Sequence, residues 1–216
     1  VHARLAELKM EGLQALLAAW SPSLVRRVQD LQPSGRVSGE LDWQPGAGAS
    51  PRLEVQLRLS EAGFGTADGL RAAEKLAVDL SLDARRSGAA WHWQLALDWQ
   101  AGAAYLHPLF LEAGPRLSAH GRLDDRQLHI ERAELELEGV RRVSASASAD
   151  RDALDQGRLA LEVQGADLAV VGPRWIAPLV APASAERWAF AGHASGALQL
   201  AQGRLQAAEV AFDAAG

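Results

Sequence analysis

From Arg36 to Phe212 apolar and polar residues repeatedly alternate with a period of two, the pattern of β-strands that dry one face and wet the other. The alternation is strongest in three segments. Leu53, Val55, Leu57 and Leu59 oppose Glu54, Gln56, Arg58 and Ser60; Leu76, Val78, Leu80 and Leu82 oppose Ala77, Asp79, Ser81 and Asp83. Trp91, Trp93, Leu95, Leu97 and Trp99 oppose His92, Gln94, Ala96, Asp98 and Gln100. Weaker versions run through Val37 to Trp43, Leu117 to Leu123, Leu128 to Ile130, Ala133 to Leu137, Val143 to Ala149, Leu159 to Val163, Leu198 to Leu200 and Leu205 to Phe212. Together they predict about ten strands. Between Ile130 and Ala133 the apolar positions pass from even to odd numbers, which a continuous strand tolerates only with a bulge at Glu131-Arg132.

The connections are short and polar: Asp83 to Gly88, Asp124-Asp125, Gly139 to Arg142, Asp150 to Gly157 and Ala201-Gln202-Gly203. They favour antiparallel hairpins in a meander, because parallel pairing needs crossovers of about a dozen residues or more. Gly-Arg followed by Val or Leu recurs at Gly35, Gly121, Gly157 and Gly203 and reads as a strand opening. Two interruptions are apolar, Ala101 to Gly114 and Pro173 to Pro182, and read as short helices or loops lying as lids over the dry face.

The first 34 residues break the two-residue rhythm. Leu5, Leu8, Leu13, Leu16, Leu17 and Trp20 share a face at helical spacing, and Ser21-Pro22 caps a second run through Leu24, Val25, Val28 and Leu31. The chain therefore divides into an amphipathic helical segment, 1–34, and an antiparallel β segment, 35–216. It begins with Val1 and stops just after an apparent strand, so it reads as a fragment of a longer protein.

Composition narrows the classes of function. Apolar residues make up 48% and charged residues 23%, ordinary for a globular chain, so neither disorder nor a fibrous repeat is indicated. A net charge of −5 without a dense basic run gives no footprint for nucleic acid. The absence of cysteine removes disulfides, thiolate metal sites and thiol nucleophiles. Arg4, Glu7, Lys9 and Glu11 interrupt any secretory signal in the opening residues, and the most apolar stretch, Leu95 to Leu111, carries Asp98, Gln100 and His107.

Catalytic patterns are lacking. The six histidines form no pair at metal spacing, although a tight turn at Asp124-Asp125 would set His120 opposite His129. Gly63-Phe64-Gly65-Thr66 has no phosphate-cradle lysine and reads as a turn. The carboxylates fall on wet strand positions, where acid/base work finds no dry pocket, so neither an enzyme nor a cofactor is expected. The strongest oddity is seven tryptophans, three of them, Trp91, Trp93 and Trp99, on one face of one strand. Such rings serve a packed core, a glycan platform or a lipid-facing wall, and the continuation of that face as Leu95 and Leu97 suits an apolar ligand better than a sugar.

The order of segments resembles the AsmA-like superfamily of Gram-negative envelope proteins, most closely the YdbH family, with YhdP and TamB more distant. The resemblance rests on Leu31-Gln32-Pro33-Ser34-Gly35, on Ala67-Asp68-Gly69-Leu70-Arg71-Ala72-Ala73-Glu74-Lys75-Leu76, and on Leu97-Asp98-Trp99-Gln100-Ala101-Gly102 leading to Tyr105 and Pro108-Leu109-Phe110-Leu111. Gly165-Ala166-Asp167-Leu168 completes it, and the order spans most of residues 31–216. The resemblance implies an elongated, curved antiparallel β-sheet forming an apolar groove for phospholipid acyl chains in the periplasm. It also implies an inner-membrane anchor and an outer-membrane partner in parts of the parent protein outside this chain. On this reading the lipid-facing side carries Leu53, Val55, Leu57, Leu76, Val78, Leu80, Trp91, Trp93, Leu95, Leu97 and Trp99. The alternative expectation is a β-sandwich closed on itself as a scaffold or glycan-binding module of the cell envelope.

Overall fold

A computed structural model of the chain describes residues 1–10, 31–46, 50–150, 153–180 and 187–213. The fold is mainly β, one open antiparallel sheet of twelve strands. They are β1 (His2–Lys9), β2 (Ser34–Gln44), β3 (Arg52–Gly65), β4 (Arg71–Ser87), β5 (Ala90–Leu106), β6 (Leu109–Glu112), β7 (Arg116–Leu123), β8 (Gln127–Leu137), β9 (Val140–Asp150), β10 (Ala153–Asp167), β11 (His193–Ala201) and β12 (Arg204–Asp213). Spatial order follows chain order, except that β6 folds back on the end of β5 and β7 takes the next place along the sheet. Hairpin turns explain the meander: at the last of them Gln202 and Gly203 both adopt positive φ, as a two-residue turn between twisted strands requires. Between β10 and β11 lies a helical insert, α1 (Leu168–Val171), a π-turn (Gly172–Ile176) and α2 (Ala177–Val180). The insert starts at Asp167, whose side chain accepts a hydrogen bond from the Ala169 N–H at 3.0 Å.

The strands outrun the alternation that announces them. β4 and β5 each have 17 residues, against about 5–6 for a common strand, because bulges let them pass places where the apolar parity changes. In β3 the dry face passes from Leu59 to Ala62 across Glu61 (φ 51°); in β4 it passes from Ala73 to Leu76 across Lys75 (φ 51°). In β5 it passes from Trp99 to Ala104 across Gly102 (φ 94°). Glu7 of β1 (φ 45°) and Gly35 of β2 (φ 107°) do the same, so five neighbouring strands bulge toward one end of the sheet. The bulge expected at Glu131-Arg132 is present, where the β7–β8 register slips between His120 and Gly121.

Several expectations are corrected. The helical spacing at the start is in part a strand: β1 puts Leu5 opposite Gly39 and Leu8 opposite Val37, and the bulge between them turns a three-residue interval into one face. The remainder of the helical expectation, residues 11–30, lies outside the described residues. Ala101 to Gly114 is no lid; it completes β5 and forms β6, with Tyr105 opposite Phe110. Helices do form in the described part of Pro173 to Pro182. Gly63-Phe64-Gly65 ends β3, and the turn follows at Thr66, whose hydroxyl donates to Asp68 at 2.5 Å. Gly121 and Gly157 lie inside strands rather than at their openings.

Candidate functional site

The register assembles the dry face row by row. One row runs Leu41, Val55, Leu82, Leu95, Ala119, Ala133, Ala145, Leu161, Leu198, Ala208. The next runs Gly39, Leu57, Leu80, Leu97, Leu117, Leu135, Val143, Val163, Gly196, Val210. All eleven residues of the expected lipid-facing side share this face. Leu57, Leu80 and Leu97 stand in one row, Val55 and Leu82 beside Leu95 in another, and Leu53 reaches Trp93 through Ala84. Val78 faces Trp99, Leu76 faces Ala62 and Trp91 faces Arg86. The eleven strands of the main path, with ten gaps of about 4.8 Å, carry the face over roughly 48 Å.

No second layer seals it among the described residues. All eleven residues are half-buried, and among the described residues no large side chain is fully buried. The chain exposes 14415 Å² where a compact chain of 23.0 kDa would expose about 9,600 Å². What is buried is small. Ala62, Ala73, Ala84, Ala104 and Ala119 are at most 9% exposed on the dry face, whereas Ala96, Ala160 and Ala197 on the wet face are open. An alanine is covered only when larger neighbours lean over it, so Leu and Trp side chains roof the dry face laterally while their outer surfaces stay bare. Trp43 and Trp91 illustrate this: their rings lie 5.8 Å apart although β3 and β4 run between their strands. The Trp93 Nε1 is covered and has no hydrogen-bond partner, as befits an indole serving as apolar surface.

The ion pairs between strands lie on the wet face. Arg58 grips Asp79 with two hydrogen bonds, 2.7 and 3.1 Å, and Gln100 donates to the same carboxylate at 2.8 Å. Asp79 is held below the usual carboxylate range, chiefly by the hydrogen bond from Arg58. Arg132 and Arg142 converge on Glu134 at 2.6 and 2.8 Å. A shallow trough of about 820 Å³ lies on this side. It is lined by Arg58, Asp79, Asp98 and Arg116 together with Leu57, Leu80, Leu97, Leu117 and Leu135.

The histidine pair does not form. His120 faces Arg132 and His129 faces Arg122, because the loop from Asp124 to Gln127 and the bulge at Glu131 shift the register. Among the described residues no three side chains of metal-binding type come together, and no helix is long and apolar enough to cross a membrane. The eleven expected residues are only the centre of the face: Leu41, Trp43, Leu59, Leu82, Leu117, Leu135, Leu161 and Leu198 extend it, and their alternation is visible in the sequence too.

Comparison with protein-family models, with curated proteins and with solved structures finds no match in any of the three. The class of the protein therefore rests on its own geometry: a single open antiparallel sheet with one wet, ion-paired face and one dry face without a covering layer among the described residues.

Proposed function

We propose that this chain is a section of an AsmA-like, YdbH-like periplasmic bridge whose dry sheet face shields phospholipid acyl chains as lipids pass between the inner and outer membranes. The carrying observation is the continuity of that face across successive ladders without a second sheet on top among the described residues. Acyl chains in water cost about 0.8 kcal/mol per CH₂, so a two-chain lipid faces a barrier of roughly 20 kcal/mol in crossing an aqueous gap. A dry surface removes most of it while leaving the headgroup in water. Passage also requires that no position hold the lipid too tightly. Rows of Leu, Val and Ala without directional hydrogen bonds satisfy that, where a deep pocket with placed polar groups would trap the cargo. A closed sandwich would need a second sheet over these rows, and a glycan platform would need polar partners beside the tryptophans, where Leu95 and Leu97 stand instead.

The test is native mass spectrometry with lipid extraction on the chain purified from a bacterial envelope, as wild type and as Leu80→Asp and Leu95→Asp. Both positions are half-exposed, so a carboxylate there reaches water and the fold persists by circular dichroism. Copurified phospholipid that falls severalfold in the two variants is expected. Undiminished lipid in folded variants, or a lipid-free wild type, would remove the assignment.

A further inference from the structure

In the middle of the sheet, the two ends of β4 and β5 close the dry face with different chemistry. At the hairpin end the last dry pair is Arg86 opposite Trp91, followed inward by Ala84 opposite Trp93, Leu82 opposite Leu95 and Leu80 opposite Leu97. Trp43 shares the row of Trp93 through Leu53 and Ala84, and its ring lies 5.8 Å from that of Trp91. The other end of the same two strands carries Trp99, Ala104 and Leu106, and the Trp99 Nε1 is already satisfied, donating to the Ala101 carbonyl at 2.8 Å. Arg86 is exposed and takes part in no ion pair among the described residues, although Arg85, next to it, and Arg52, on β3, both engage Asp83. Its counterpart at the far end of β4, Arg71 opposite Leu106, stands within electrostatic reach of the Asp68 carboxylate. Indoles favour the boundary between apolar and wet surroundings, and a guanidinium on a long apolar stem matches phosphate oxygens in geometry and charge.

We infer that the β4–β5 hairpin end is the headgroup side of the dry face: Arg86 meets the phosphate of a phospholipid beside Trp43 and Trp91, and the acyl chains run inward along β4 and β5. The lengths agree with this orientation. One leaflet of a hydrocarbon core about 30 Å thick is about 15 Å deep, and a strand rises about 3.4 Å per residue. Chains that start beside Trp91 therefore end near Leu95 and Leu97, with Leu82 and Leu80 across from them. A single exposed arginine holds a phosphate weakly, because water and salt screen the pair, so the lipid is oriented without being trapped. This inference rests on the lipid reading of the dry face and adds to it the direction in which the cargo lies.

Because the sequence has no cysteine, Ser87→Cys and Leu70→Cys each place a single fluorophore on the full chain, at exposed positions flanking opposite ends of the 17-residue β4. Phosphatidylcholine with a nitroxide on its headgroup is expected to quench the Ser87→Cys fluorophore severalfold more than the Leu70→Cys one, and more than phosphatidylcholine with the nitroxide at a chain end does. Arg86→Gln, folded by circular dichroism, is expected to capture severalfold less phosphatidylcholine while its capture of diacylglycerol, which has the same chains without the phosphate, is unchanged. Equal quenching at the two ends, stronger quenching at Leu70→Cys, or an Arg86→Gln chain that keeps its phosphatidylcholine or loses both lipids alike would overturn this inference and leave the dry face as the lipid surface. A chain that captures neither lipid would remove both.

Discussion

Gly121 shows how closely the rows of the dry face are fitted. A Cβ added there would lie 1.9 Å from the His129 carbonyl oxygen and 2.9 Å from the Trp93 ring. The missing side chain is the space that Trp93 occupies. Gly121→Ala is therefore expected to destabilise the chain by about 1–3 kcal/mol, read as a lowered urea midpoint, since neither a ladder carbonyl nor an indole wedged beside it can move freely. An unchanged midpoint would mean that the ring does not lie across β7. Trp93→Phe should behave oppositely. It deletes a covered N–H that has no partner and keeps an aromatic ring in the row, so stability stays within about 1 kcal/mol of wild type.

At the scale of elements, the bulges hold each long strand to one face. Lys75 occupies a left-handed backbone conformation that disfavours side chains by roughly 1–2 kcal/mol, so Lys75→Gly should raise the melting temperature by a few degrees. Gly102→Ala, on the adjacent strand, should lower it, because the new Cβ would come within 2.5 Å of the Glu74 and Lys75 carbonyl oxygens. Much of this was legible in the sequence. Three strong alternating segments gave β3, β4 and β5, short polar connections gave the meander, and an even-to-odd change of parity gave the bulge at Glu131. The same change occurs between Leu59 and Ala62 and between Trp99 and Ala104, but alanine is too weakly apolar to mark a face by itself, so those bulges pass unnoticed. At the N-terminus the signal misleads outright: a bulge spaces Leu5 and Leu8 by three residues, which one turn of helix also does. The dry face was readable strand by strand, whereas its openness was not, because alternation is identical in a sandwich and in a single layer.

For the whole molecule, acid is a condition that weakens the fold through a few carboxylates. Asp79 is kept below its ordinary range by Arg58, Asp68 by the Thr66 hydroxyl and the Leu70 N–H, and Asp124 by the N–H groups of Gln127 and Arg126. Each favours the folded state while ionised. Its contribution is complete above the usual carboxylate range and is lost as pH falls through the depressed folded value. The urea midpoint should thus be flat near neutrality and decline as pH falls below the usual carboxylate range of about 4, with Asp79→Asn removing part of that decline.

The meander order also governs how such a molecule comes apart. Among the described residues packing is mainly between strands adjacent along the sheet, with Trp43 reaching Trp91 and the helical insert touching β6 and β10, so no central nucleus gathers the contacts in one place. Stability then adds up hairpin by hairpin, as in a linear array with nearest-neighbour coupling. Amide protons of β11 and β12 are expected to exchange sooner than those of β4 and β5, and the denaturation curve to be broader than a chain of this length would give if it opened in one step. The sheet can fray from its ends and re-zip while its middle stays intact.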